Sequence, residues 1–300
     1  MSLQQRIESG KDLLLAEVAP PRSGDPKAIR DVAAKYAGKV HALGISDNQH
    51  GVCMSALAAA AIVGQAGVEP ILHIATRDRN RIALVAEYLG AQALAIPNVL
   101  CTSGTHQTLQ PARGARAVFD LDAIQLLHVY ANLADDGSVV GSDAINGADP
   151  LCLGAVASPF AEPSELQLLR LAKKNRAGAR FFITQPVFDV KRFDAWWQPV
   201  KQSGLTKSAA ILVGIRVLTS AEAARACAAR WPSPRLPEAA LKRVTSPADA
   251  AGQRAAGIAL AVETIRQLSA LEGLRGFAIH GGGDDAAALD VIAKCGVGGN

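Results

Sequence analysis

The sequence predicts an α/β chain folded as a single (β/α)8 barrel over residues 1–300, with an extra helix before the eighth strand. Three observations predict it. Short, β-rich apolar runs recur eight times. The stretches between them carry independent helix signals, as βα units require. No G-x-G-x-x-G turn follows the first run, which counts against an open, doubly wound sheet.

The runs are Leu13–Ala19, Val40–Ser46, Glu69–Ala75, Ala93–Thr102, Leu151–Ala157, Arg180–Val187, Ala210–Arg216 and Leu274–His280. The first three start ~25–30 residues apart, room for a strand, a crossover helix and two loops. Asp25-Pro26 reads as an N-cap followed by proline at the first helical position, and Ser246-Pro247 repeats the pattern. Ser55–Gly67 is an alanine-rich helix that ends at glycine. Asp120–Ala134 spaces Leu121, Ile124, Leu127 and Leu133 for one buried face. Ser164-x-x-Gln167 and Thr219-x-x-Glu222 read as capping boxes, with Gly178 as a glycine stop after Lys174. A loop at Thr105–Arg116 and an extra helix near Pro237–Arg243 fill the longer gaps.

Composition narrows the function. Hydrophobic residues at 49% and charged residues at 19% exclude a disordered chain, and 4% aromatics leave the core to Ala, Val, Ile and Leu. The richest apolar run, around Ala56–Val63, is too short to span a bilayer, and MSLQQRIESGK has no apolar signal core. The expectation is a cytoplasmic protein with no membrane partner. The net charge of +4 is spread along the chain, which argues against nucleic acid and suits small anionic ligands. The five cysteines form no C-x-x-C pair, so buried reduced thiols and no metal site are expected.

Catalytic groups in such barrels sit at the C-terminal ends of the strands. Those ends are rich in polar residues here: Glu17 to Arg22, Ser46 to His50, His73 to Asn80, Thr102 to Gln107, Thr184-Gln185-Pro186 and Arg216. Glu17 is a lone carboxylate in an apolar run; burial would raise its pKa and make it a proton donor near neutrality. Pairing with Arg22 or Arg77 as a structural carboxylate is an equally good reading. Gln185, an amide among apolar neighbours, either recognises the edge of a ring or bonds nearby backbone. Arg77 and Asp78, with Arg79 and Asn80, form a phosphate anchor or a solvated loop. His73 alone would be a core histidine, and Lys173 and Lys174 solvated charges.

Together these segments resemble the methylenetetrahydrofolate reductase family. Glu17-Val18-Ala19-Pro20-Pro21-Arg22 is similar to that family's E-x-x-P-P-R opening. His73-Ile74-Ala75-Thr76-Arg77-Asp78-Arg79-Asn80 and then Leu89-Gly90-Ala91 resemble its H-x-T-C-R-D-R-N…L-G-A segment. Asn98-Val99-Leu100, Val118-Phe119-Asp120-Leu121-Asp122 and Ile183-Thr184-Gln185-Pro186-Val187-Phe188-Asp189 follow in family order. The likeness runs from about Leu14 to Arg216, with a weaker echo at Leu274–His280.

The resemblance implies a flavoprotein that holds FAD and uses NADH or NADPH to interconvert 5,10-methylenetetrahydrofolate and 5-methyltetrahydrofolate, in one-carbon metabolism and methionine biosynthesis. Glu17 would protonate folate N10, and Gln185 would bind the pterin and the nicotinamide in turn. Ser46, His73, Arg77, Asp78, the Thr102-Ser103-Gly104-Thr105 loop, Lys173 and Lys174 would contact the flavin, and Arg216 the substrate. One position departs from the family: Thr105 stands where an aspartate normally follows Gly104. Reduced activity, a rebuilt loop in which His106 or Asp47 substitutes, or a folate- or flavin-binding subunit dependent on a partner protein all remain open. A homo-oligomer is open as well.

Overall fold

The computed structural model describes residues 1–49, 51–109, 114–139, 143–145, 148–230 and 236–296. His50 and the central part of the Thr105–Arg116 loop lie outside the described residues. The chain alternates strand and helix throughout. The strands are β1 (Leu13–Val18), β2 (Ala42–Ile45), β3 (Pro70–Ala75), β4 (Asn98–Thr102), β5 (Cys152–Ala157), β6 (Phe181–Thr184), β7 (Ala210–Arg216) and β8 (Gly276–His280). All pair in parallel with their sequence neighbours, and β8 pairs with β1 to close the barrel. The eight-stranded barrel read from the sequence is therefore the fold.

The helices are α1 (Leu3–Glu8), α2 (Pro26–Tyr36), α3 (Ala56–Gln65), α4 (Arg81–Ala93), α5 (Ala123–Asp136), α6 (Ser164–Arg176), α7 (Val190–Gln202), α8 (Ala221–Arg230), α9 (Glu238–Thr245), α10 (Ala250–Leu268) and α11 (Asp285–Cys295). The expected extra helix is α9. Asp25 caps α2 through the Lys27 N–H, with Pro26 at its start, as expected. Three other starts differ. Pro163 is the N-cap of α6, so Ser164 is already helical and caps nothing. Ser220, not Thr219, accepts from the Ala223 N–H at 3.0 Å and opens α8. Asp249, not Ser246, caps α10. At α8 an adjacent residue of similar capping ability displaced the expected start, and at α6 a proline fixing the entry angle did. At α10, Ser246 instead ends α9, and Asp249 three residues on serves as the cap. The fourth strand begins at Asn98; Ala93 closes α4 instead.

Strand parity decides what the barrel encloses, because alternate side chains point to opposite faces. Leu13 and Leu15, Ala42, Ile71, Leu100, Cys152, Phe181 and Ile183, Ala210 and Leu212, and Ala278 pack together inside. Their neighbours Leu14, Ala16, Leu43, Leu72, Val99, Phe182 and Ile211 face the helices. Gly154 makes room within: a Cβ there would lie 2.2 Å from the Phe181 ring, so the ring fills the space a side chain would take. Leu3 of α1 is fully buried and closes the end of the barrel where the strands begin. Cys101, Cys152 and Cys227 are buried, whereas Cys53 and Cys295 are only partly so; all five are free thiols. No helix among the described residues is long and apolar enough to cross a membrane.

Candidate active site at the barrel mouth

Counting onward by two from the interior residues, toward the C-terminal ends, changes the chemistry of the lining. Leu15 is followed by Glu17, Gly44 by Ser46, Ile71 by His73, Leu100 by Thr102, Ile183 by Gln185, Gly214 by Arg216 and Ala278 by His280. These side chains share one cavity of about 390 Å³ at the barrel mouth, with Asp47, Arg77, Gly104, Thr105 and His106 on its loops. The strand alternation that buries the apolar core thus aims the polar candidates at one space.

Glu17 is the acid of this set. Burial pushes its carboxyl up to about 7, against the pull of the Arg216 guanidinium. His280 approaches from β8, with Nε2 3.9 Å from Glu17 Oε1. His73 is buried, and desolvation pushes its imidazole down to about 4, so it is neutral at pH 7. Its Nε2 has no hydrogen-bond partner, and neither do Ser46 Oγ and Arg216 Nε. Three buried polar atoms without partners on one cavity are the signature of a site shaped for a polar ligand. Gly44 permits this arrangement, since a Cβ there would stand 2.8 Å from His73 Nε2.

The loops are held by a charged frame. Asp47 takes Arg79 in a fork, with Oδ2 2.5 Å from Nη1 and Oδ1 3.2 Å from Nη2, and also accepts from the Ala75 N–H at 2.9 Å. Arg77 grips Asp78 with Nε and Nη2 and donates to the carbonyls of Thr105 (3.4 Å) and Asn48 (3.4 Å). Arg77 therefore ties the loops after β2 and β4 together while it lines the mouth. Asp78 is turned to Arg77 and lines no part of the cavity. On β6, Thr184 Oγ1 accepts from the Gly214 N–H and donates to the Gln185 carbonyl, which fixes the backbone that carries the amide.

A second cavity of about 330 Å³ adjoins the mouth, sharing Thr102, Gly104 and Gln185 and adding Ser103, Lys174 and Trp196. Lys174 donates to the Val156 carbonyl at 2.6 Å; burial, with Arg170 nearby, lowers its ammonium to about 8. Lys173, the preceding residue of α6, is exposed and lines neither cavity. Ser103 Oγ accepts from the Ala123 N–H at the start of α5. Sequence reasoning passed over His280 and Trp196. Parity from Ala278 would have found the first; nothing in the sequence separates Trp196 from its buried neighbour Trp197. A larger cavity, about 720 Å³, lies at the opposite end of the barrel among Gln4, Arg180 and Arg275, and holds none of the expected site residues. No cluster of metal ligands occurs among the described residues.

No curated protein matches the sequence. Among solved structures, an uncharacterized protein from Clostridium thermocellum that binds two copies of 5-methyl-5,6,7,8-tetrahydrofolic acid superposes with a TM-score of 0.69. It is 14% identical, over 98% of this chain and 97% of that one. An F420-dependent secondary alcohol dehydrogenase, in complex with an F420–acetone adduct, superposes with a TM-score of 0.52. Its identity is 12%, over 94% and 97% of the two chains. At such identities these likenesses establish the barrel alone. The family model for methylenetetrahydrofolate reductase matches residues 2–293, and on that match the chain belongs to the methylenetetrahydrofolate reductase family.

Proposed function

We propose that this protein is a flavin-dependent oxidoreductase that interconverts 5,10-methylenetetrahydrofolate and 5-methyltetrahydrofolate, with FAD bound and NADH or NADPH as hydride donor. The observation that carries the proposal is Glu17: a shielded carboxyl with a pKa of about 7, at the mouth, where the family resemblance expects the proton donor. The folate bound by the Clostridium thermocellum relative supports the substrate class.

The residues present fit a flavin. Ser46 Oγ and His73 Nε2 are buried and unpartnered on the mouth, and Trp196 Nε1 is unpartnered beside Lys174 in the adjoining cavity. A ring system with acceptors and donors at its edge would satisfy the first pair, and a pyrophosphate would suit the lysine. When bound, the flavin supplies hydride transfer between nicotinamide and folate. The rest falls to the chain. Glu17, whose carboxyl titrates near 7 and so is partly protonated at neutral pH, gives its proton to folate N10, so that the N10–methylene bond breaks and the one-carbon unit becomes the hydride acceptor. Gln185, at the junction of the two cavities, presents an amide to the pterin and the nicotinamide in alternation. Arg216 supplies a cation to the anionic substrate.

Rapid mixing tests this. Glu17→Gln should abolish folate reduction and leave nicotinamide-to-flavin hydride transfer nearly intact, because only the folate half consumes a proton. Survival of both half-reactions would show the assignment wrong. Gln185→Ala should weaken folate binding by roughly tenfold while flavin is retained, the loss expected for one hydrogen-bonding group in a half-buried site. Unchanged folate affinity would return Gln185 to a packing role.

Thr105 favours a second reading, a folate- or flavin-binding subunit that works with a partner protein. Among the described residues lining the mouth the carboxylates are Glu17 and Asp47, and Asp47 is held by Arg79. The described part of the β4 loop thus brings no negative charge to the mouth. The visible spectrum of the purified protein, followed by turnover without added protein, separates the two readings.

A further inference from the structure

Gly281-Gly282-Gly283 follows β8, and the reaction gives it no task. Gly282 (φ 66°) and Gly283 (φ 102°) occupy the left-handed region, which glycine enters without strain. The turn carries the Gly282 N–H back onto the ring of His280, where it donates to Nδ1 at 3.0 Å. A ring nitrogen that accepts a hydrogen bond bears no proton, so the neutral imidazole keeps its proton on Nε2. Nε2 is the atom that faces Glu17, 3.9 Å from Oε1. Register makes this a fixed relation: His280 pairs across the sheet with Glu17 on one side and Arg216 on the other. Both side chains are shielded, His280 at 15% and Glu17 at 20% exposure.

We infer that His280 is a positioning residue for Glu17: the glycine turn fixes its tautomer, Nε2–H donates to Oε1, and the proton of the acid is thereby left on Oε2. This rests on the reading of Glu17 as proton donor. The 3.9 Å separation exceeds a direct hydrogen bond; one bridging water or a small rotation of either side chain spans it. An oxygen already accepting from an N–H is the poorer site for the acid proton, so one oxygen is selected to face the ligand. After transfer, the same N–H stabilises the carboxylate left behind. His280 keeps its own proton throughout. Among the described residues, the other titratable or charged groups on the cavity are Arg216 on β7, His73 on β3, Asp47 and Arg77 beyond β2 and β3, and His106 in the β4 loop. Asp47 and Arg77 are engaged with Arg79 and Asp78, which leaves Arg216 as the charge Glu17 feels most.

NMR of the full-length protein without ligand tests the pairing, with glutamate labelled by 13C at the carboxyl and histidine by 15N. Glu17 is identified by the signal lost in Glu17→Gln, and His280 by the signal lost in His280→Gln. The ring of His280 is expected in the Nε2–H tautomer from pH 7 to 9. His280→Ala should move the Glu17 titration upward by about one pH unit, the loss of one hydrogen bond to a carboxylate. His280→Gln should restore most of it, since its amide nitrogen can donate from the place of Nε2. A Nδ1–H tautomer, or a Glu17 titration unmoved in His280→Ala, overturns the proposal. The tautomer measurement on the unsubstituted protein decides even where a variant fails to fold. Folate turnover is read separately: if the unsubstituted protein shows none while Glu17 titrates as expected, the reaction falls and the pairing stands.

Discussion

At Glu17 the requirements of folding and of the proposed proton transfer pull in opposite directions. Its carboxyl lies at about 7 in the folded protein, against an ordinary 4.5, because burial disfavours the anion. The folded-state value is the raised one, so ionising Glu17 favours the unfolded chain. The penalty is absent below about pH 4.5, grows as pH rises from there to about 7, and levels off above that at roughly 3 kcal/mol. Glu17→Gln should therefore match the parent in urea unfolding at pH 4.5 and exceed it by about that amount at pH 8. Equal stability at both pH values would mean that the carboxyl is not shifted. On the proposed function the same titration sets the rate: folate reduction should fall about tenfold per pH unit above 7, as the acid loses its proton. Thr105 marks the opposite case, a charge left out. Thr105→Asp should speed the folate half-reaction and make the flavin harder to reduce, since a carboxylate near a developing cation stabilises it and disfavours an anionic reduced flavin. Rate and midpoint potential both unchanged would show that position 105 does not face the ligand. Glu17 was legible in the sequence because a carboxylate in an apolar strand is conspicuous. His280 was legible only as a mouth-facing residue in step with Ala278; its relation to Glu17 comes from cross-strand register, which the sequence does not display.

Among elements, strand identity was more legible than helix starts. Eight apolar runs cannot be hidden, whereas the start of α8 rested on a choice between Thr219 and Ser220, which differ little as caps. The pairing of β2 with β3 depends on details of the same kind. Gly44 of β2 faces His73 of β3 so closely that a methyl group would fall 2.8 Å from Nε2. Gly44→Ala should cost about 1–3 kcal/mol through overpacking. His73→Ala in the same chain should recover most of that loss, and the coupling in a double-mutant cycle measures it. Additive effects would place the strain elsewhere. Above this contact, Asp47 joins the top of β2 to the backbone of β3 and to Arg79. Asp47→Ala leaves the largely buried Arg79 guanidinium with Glu87, 3.4 Å from Nε, as its carboxylate partner. It should destabilise by up to about 3–5 kcal/mol in urea titration, more than Asp47→Asn, which keeps the hydrogen-bond acceptor. Equal losses in the two variants would mean that the charge, absent from both, and not the hydrogen-bond acceptor kept by Asn, is what holds this corner.

On the scale of the molecule, the barrel separates what holds it together from what it does. Every candidate site residue except Asp78 and Lys173 lines the mouth or its adjoining cavity, at the C-terminal ends of the strands. The opposite end is closed by α1: Leu3 is fully buried there, Ile7 packs beside it, and the Leu3 N–H donates to Glu69 at 3.0 Å. Arg275, just before β8, donates to the carbonyls of Arg6 (3.2 Å) and Lys11 (2.7 Å), which fastens α1 to the strand that closes the barrel. None of these residues touches the mouth, and between the two ends lie layers of apolar side chains whose packing is set by strand parity. Removing residues 2–9 should therefore uncover the lower layer and cost roughly 3–5 kcal/mol, the burial of two aliphatic side chains and the cavity they leave. The mouth should keep its geometry, with affinity for 5-methyltetrahydrofolate changed by no more than about twofold at a temperature where the shortened chain is fully folded. Calorimetry gives the first quantity and ligand titration the second. A shortened chain that loses folate affinity while still folded would show that the two ends are coupled through the barrel, and that the separation of stability from function drawn from the strand layers is wrong.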